Sequence, residues 1–259
     1  DKMENLTDIE LYNCPKISRI PDFYYNLPKL QAMNLARCKG ISANQLRNDW
    51  TRLAEEKTGK TLQILYMSYN NLEEFPEYSA LKKMVNLGLL DLAYNNIKKL
   101  HPFGSEVALS SLYLNNNQIE EIPANLCAFT DDVESLTFAH NKLKKIPNIF
   151  DASSVREMGS VDFSYNEITG VDNSHPYKGI NAASVSLSNN KIEKFPSELF
   201  TAGSPITTID LSGNQMRTIP KGSIKGKKAY LLQVIDLRFN KLTSLSDDFR
   251  STTLPYITN

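Results

Sequence analysis

Leu109-Ser-Ser-Leu112-Tyr-Leu114-Asn-Asn-Asn117-Gln-Ile119-Glu-Glu-Ile122-Pro123 carries the pattern that decides the fold. Numbering Leu109 as position 1, apolar residues fall at positions 1, 4, 6, 11 and 14, asparagine at 9 and proline at 15. The frame recurs along the chain. Its position-9 residues are Cys14, Cys38, Asn70, Asn95, Asn117, Asn141, Asn166, Asn190, Asn214 and Asn240, spaced 22 to 26 residues apart except for one interval of 32. Ten matches in register identify a repeat architecture. Positions 4 and 6 alternate with polar neighbours, the signature of a short strand with one buried face. So short a strand cannot cover that face by itself. Coils stacked with their strands in parallel can, because the apolar positions then merge into one core. Position 9 falls inside that core. An amide both donates and accepts, so an asparagine there can bond loop backbone in its own and adjacent coils. Asn141→Ala is therefore expected to cost about 1–3 kcal/mol.

The consensus L-x-x-L-x-L-x-x-N-x-L-x-x-I/F-P resembles the leucine-rich repeat family. Apolar residues beyond the proline, as in Phe195-Pro196-Ser-Glu-Leu199-Phe200 and Ile146-Pro-Asn-Ile-Phe150, are similar to the extracellular, typical form of that repeat. The match runs over about residues 6–257. It implies an α/β solenoid: a curved right-handed stack with a parallel sheet on its concave face, and turns, 3-10 pieces and one short helix on its convex face. Residues 1–259 are expected to form a single domain of ten repeats. Leu254–Asn259 reads as the start of an eleventh repeat, and with no capping segment before Leu6 the chain reads as a segment of a longer solenoid. Cys14 and Cys38 match the family's accepted variant at position 9. The coil at Leu87 carries Leu100-His101-Pro102 where the others have proline directly, and the coil at Met158 ends in Val171-Asp172.

The 32-residue interval contains a helix signal. Ser42-Ala-Asn-Gln45 fits a capping box. Leu46, Trp50, Leu53 and Ala54 follow at helical spacing, and Thr58-Gly59 reads as a stop. A helix is expected over about 43–57, with Trp50, the only tryptophan, packed on the core. Positions 12 and 13 alternate in sign from coil to coil: Glu73-Glu74, Lys98-Lys99, Glu120-Glu121, Lys144-Lys145. Side-by-side coils would pair these charges and set the register.

With 29 basic and 29 acidic residues, the formal net charge is zero. That gives no electrostatic reason to expect nucleic acid, and no apolar run approaches the length of a membrane span. The chain opens at Asp1 without methionine and reads as a trimmed product. Three cysteines, Cys14, Cys38 and Cys127, make no disulfide framework and have no zinc spacing; free buried thiols are expected. No nucleophile elbow, phosphate loop or metalloprotease motif occurs. Acidic residues recur at position 5, among them Asp162 and Asp210, but about 10 Å apart by strand spacing. They are read as solvated, with no enzyme activity, metal or cofactor expected.

Exposure on the concave face falls to positions 3, 5, 7 and 8. This places Tyr66, Tyr69, Tyr94, Tyr113, His140, Asp162 and Tyr165 there as candidate partner-binding residues, since tyrosine combines a large area with a polar tip and few rotors. The expected function is a non-enzymatic protein-binding scaffold. The alternatives are a glycan-binding or adhesion module and a structural spacer in a larger surface protein. Resemblance to bacterial surface and secreted proteins of this repeat implies an extracellular or cell-surface location.

Overall fold

The computed structural model describes residues 3–102, 106–107, 109–123, 126, 133–148, 158–172, 179–200, 204–224 and 229–245. Cys127, Phe150 and the expected eleventh repeat lie outside these. The chain forms two compact units, residues 1–130 and 131–259.

Unit 1 contains five strands in parallel order: β1 (Asp8–Glu10), β2 (Ala32–Asn34), β3 (Ile64–Tyr66), β4 (Leu89–Asp91) and β5 (Ser111–Tyr113). Unit 2 repeats the arrangement with β6 (Ser135–Thr137), β7 (Met158–Asp162), β8 (Ala182–Ser186), β9 (Thr208–Asp210) and β10 (Val234–Asp236). Register follows the sequence frame. Ile9 pairs with Met33, Met33 with Leu65 and Leu65 with Leu90, all at position 4 and all buried. Each unit is thus the α/β leucine-rich-repeat solenoid expected from the periodicity.

The position-9 side chains form the ladder that joins coils. Asn95 Nδ2 donates to the position-6 carbonyl of its own coil, Leu92 O (3.0 Å), and to that of the preceding coil, Met67 O (3.0 Å). Its Oδ1 accepts the Leu72 N–H (3.1 Å), a position-11 donor of the preceding coil. Asn117, Asn166, Asn190, Asn214 and Asn240 repeat all three bonds. Asn141 donates to Phe138 O (3.0 Å). Cys38 makes a reduced version: its Sγ donates to Leu11 O at 3.0 Å. Both Cys14 and Cys38 are free; Cys38 is buried and Cys14 only half-buried.

Asn70 follows a cysteine coil and differs. In such coils the apolar residue comes one position later, and the Ile41 N–H bonds back to Cys38 O (3.1 Å). Asn70 keeps its donors on Leu35 O and Met67 O, but its buried Oδ1 has no protein partner.

The long interval holds two helices, α1 (Ala43–Glu55) and α2 (Lys57–Thr61). Ser42 Oγ accepts the Gln45 N–H (3.2 Å), as the capping motif predicts. The Gln45 side chain does not reach back; it donates to Asp49 Oδ1 (2.7 Å). Gly59 is not a stop but sits inside α2. A Cβ there would lie 1.8 Å from Leu53 O, so the residue is set by the contact of α2 on α1. Asp49 and Trp50 are both buried. Asp49 accepts the Tyr25 hydroxyl (2.6 Å), which ties α1 to the 3-10 segment Asp22–Asn26. Arg52 lies over the Tyr25 ring at 4.1 Å and pairs with Asp22 (2.6 Å). Burial holds the Asp49 carboxyl above its ordinary value, with Tyr25 and Gln45 opposing.

Charge pairing differs from the sequence expectation. Among the described residues, no ion pair joins Glu73 or Glu74 to Lys98 or Lys99, and Glu74 pairs with Arg47 of α1. An ion pair between adjacent coils also forms at position 10, Glu167 with Lys191 (2.8 Å). Position 10 side chains are one residue from the rigid ladder, whereas positions 12 and 13 lie further along the return segment. The coil ending in Val171-Asp172 keeps its geometry through a parallel bridge, Ile146 to Val171.

Candidate functional site

The strand face of each unit carries positions 3, 5, 7 and 8, and its shape is set by an unusual backbone corner. Position 8 adopts the left-handed region in all ten coils. Asn13, Arg37, Tyr69, Tyr94, Asn116, His140, Tyr165, Asn189, Gly213 and Phe239 have φ between +52° and +66°. Large side chains rarely adopt this conformation. Here the corner is held from both sides. The position-8 N–H continues the strand ladder, as with Tyr69 N to Ala93 O (3.0 Å) and Tyr94 N to Asn115 O (2.9 Å). The next side chain then enters the core as the asparagine rung.

The corner throws position 8 outward, where planar groups stack from coil to coil. In unit 1, Tyr69 and Tyr94 are parallel, with centroids 4.0 Å apart and planes 8° apart. Arg37 extends the row, its guanidinium 4.4 Å from the Tyr69 ring centre and 5.9 Å from that of Tyr12. The neighbouring Tyr69 hydroxyl holds the Tyr94 hydroxyl pKa above its ordinary value. In unit 2, His140 and Tyr165 stack at 4.2 Å and 8°. Tyr94 and Tyr165 remain 42% and 50% exposed, so stacking orders them without burying them.

Position 5 forms a second row. Strand register sets Tyr66 beside Asp91 and Asp91 beside Tyr113. Asp162 lies between Thr137 and Ser186. The aspartates at this position are half-buried and structural, which corrects their reading as merely solvated. Asp91, Asp162, Asp210 and Asp236 each accept, through Oδ1, the N–H two residues on: Ala93 (2.9 Å), Ser164 (2.8 Å), Ser212 (2.8 Å) and Arg238 (3.0 Å). Asn34 does the same for Ala36 (3.0 Å). This local bond braces the turn into the left-handed corner. Between the two rows lie short, buried side chains at position 7: Ala36, Ser68 and Ala93 in unit 1, Ala139, Ser164 and Ser188 in unit 2.

Seven residues were expected on this face, and each lies there. Tyr69 meets Tyr94, and His140 meets Tyr165. Tyr66 and Tyr113 flank Asp91 rather than each other. Asp91 itself was not singled out; its position-5 register beside two tyrosines was the available signal. Among the described residues no group of three or more histidine, cysteine or acidic side chains is placed to hold a metal ion, and no helix is long and apolar enough to cross a membrane.

Comparison with known proteins agrees with this geometry. A family model of the leucine-rich repeat matches residues 108–129. The chain is 60% identical to a leucine-rich repeat protein from Bacteroides thetaiotaomicron, whose crystal structure superposes with a TM-score of 0.89 over 99% of this chain and 32% of that one. A second such protein, from Bacteroides eggerthii, is 53% identical, with a TM-score of 0.88 over 99% of this chain and 44% of that one. Lumican from Rattus norvegicus is 32% identical over 218 residues, 76% of this chain and 62% of lumican. The chain belongs to the leucine-rich repeat family. It spans half of human lumican and under two thirds of the rat protein.

Proposed function

We propose that this protein is a non-enzymatic scaffold that binds a protein partner through the strand face, outside the cell or on its surface. Tyr66, Tyr69, Tyr94 and Tyr113 serve as anchors in unit 1, and His140, Asp162 and Tyr165 in unit 2. The observation that carries this reading is the stacking of half-exposed rings on a left-handed backbone corner. Ordering a side chain at an interface costs about 0.5–1.5 kcal/mol. Tyr69 and Tyr94 have met that cost in the free protein, held by their mutual stack.

The same geometry favours protein over glycan. A sugar ring packs on an aromatic face, yet the facing sides of Tyr69 and Tyr94 cover each other at 4.0 Å. What the row offers outward is ring edges and polar tips, which suit the mixed surface of a protein. Extracellular placement is supported by the repeat form, in which Leu199 and Phe200 beyond the proline are buried and Phe200 stacks on Phe195.

A photo-crosslinking residue at position 94, compared with one at the exposed Val85, tests the reading on intact cells and their medium. A discrete protein adduct from 94 and none from 85 is expected. Adducts from 85 alone, or glycan-array binding lost in Tyr94→Ala with no protein adduct, would refute it.

A further inference from the structure

The strand face is not electrically neutral, although the chain is. In unit 1, positions 3, 5, 7 and 8 carry Asp8, Glu10 and Asp91 against Arg37 alone, with no lysine. Arg37 is already occupied between Tyr12 and Tyr69. One of these acids has surroundings unlike the rest. Asp91 stands between Tyr66 and Tyr113 in the sheet, at the ~4.8 Å spacing of neighbouring strands. Past the short buried side chains of Ser68 and Ala93, the Tyr69–Tyr94 stack bounds the same two coils. By contrast Asp162 is flanked by Thr137 and Ser186, and Asp210 by Ser186 and Asp236. Among the described position-5 acids, only Asp91 has tyrosine on both sides.

We propose that Asp91 and the four surrounding tyrosines form a receptor for one lysine ammonium group of a protein partner. This rests on the protein-binding reading and specifies its chemistry. The carboxylate supplies the full charge for a cation, and tyrosine hydroxyl oxygens around it can accept from the ammonium N–H groups. The surroundings choose lysine over arginine. Asp91 Oδ1 already accepts the Ala93 N–H. A two-pronged guanidinium contact needs both oxygens and would have to share this one with the backbone. A compact ammonium needs one. Burial raises the Asp91 pKa, so the free site carries a partly desolvated charge that a cation would neutralise.

The test is an NMR titration of ring-labelled tyrosine protein with the peptide acetyl-Gly-Lys-Gly-amide, its norleucine analogue and its arginine analogue. The lysine peptide should shift Tyr66 and Tyr113 saturably, with affinity about tenfold above the norleucine peptide and above the arginine peptide. Asp91→Asn, which can keep the Ala93 bond, should abolish that advantage, while Asp210→Asn should leave it intact. Equal binding of lysine and norleucine peptides to the unmodified protein overturns the proposal even if Asp91→Asn fails to fold. So does a folded Asp91→Asn that keeps the preference. Arginine binding as tightly as lysine overturns the choice of ligand. If the position-94 adduct persists at full yield in Asp91→Asn, the scaffold reading stands and the lysine receptor falls.

Discussion

Replacing Asn95 and Asn70 separately by alanine gives two costs that the ladder ranks in advance. In Asn95→Ala, Met67 O keeps its bond from Asn70 Nδ2 and Leu92 O keeps its bond from Asn117 Nδ2. The Leu72 N–H, however, loses its acceptor Asn95 Oδ1. A buried N–H left unpaired costs about 1–3 kcal/mol, and each thinned carbonyl adds about 0.5 kcal/mol, giving roughly 2–4 kcal/mol. In Asn70→Ala no N–H is orphaned, because Asn70 Oδ1 has no protein partner to lose. The bonds to Leu35 O and Met67 O go; Met67 O keeps Asn95 Nδ2, and the orphaned Leu35 carbonyl is offset by removal of the unsatisfied Asn70 Oδ1. That variant should cost about 1–2 kcal/mol less than Asn95→Ala. Urea unfolding followed by Trp50 fluorescence reads unit 1 directly, since Trp50 is the only tryptophan and is buried there. Equal costs at equal m-values, or a larger cost for Asn70→Ala, would refute the account of how cysteine coils alter the next rung.

Three further outcomes follow from other contacts. Gly59→Ala should destabilise unit 1 by about 3 kcal/mol or more, because its Cβ would overlap Leu53 backbone; a melt within error of the parent contradicts this. Asp49 binds its proton more tightly folded than unfolded, so its stabilising contribution is present below the unfolded value near ~3.9 and is lost as pH rises through the folded value. Asp49→Asn should therefore gain stability relative to the parent between about pH 4 and 7, by about 1.4 kcal/mol per unit of elevation; a flat difference across that range would oppose it. Phe239 combines φ +57° with 82% exposure, so Phe239→Asn should raise stability by about 0.5–1 kcal/mol, and a lower melting temperature would count against strain at the corner.

The repeat frame made the stack legible because one pattern of positions recurs in ten coils and each position has one physical task. Apolar residues at positions 4 and 6 must be buried, and the amide at 9 must bridge. The helix was legible from Ser42 and the spacing of Leu46, Trp50 and Leu53. Gly59 misled because a glycine after a helical run has two meanings, a left-handed cap or a close contact, and only packing separates them. The left-handed corner was half visible. Asn13, Asn116, Asn189 and Gly213 suit that conformation, but Tyr69, Tyr94, Tyr165 and Phe239 hid it. The position-5 brace was invisible because an aspartate that bonds the backbone two residues on looks, in sequence, like one facing water. Tyr66 and Tyr113 could be placed on the face from the frame, and the same frame set Asp91 between them at position 5, a signal that was passed over.

Hydrogen exchange of the protein alone and with its crosslink-identified partner tests most directly which surface does the binding. Slowed exchange at residues 64–69, 89–94 and 111–116, with 43–61 and 77–84 unchanged, is the predicted result. Protection confined to the helical segments, with the tyrosine-bearing strands unaffected, would contradict it.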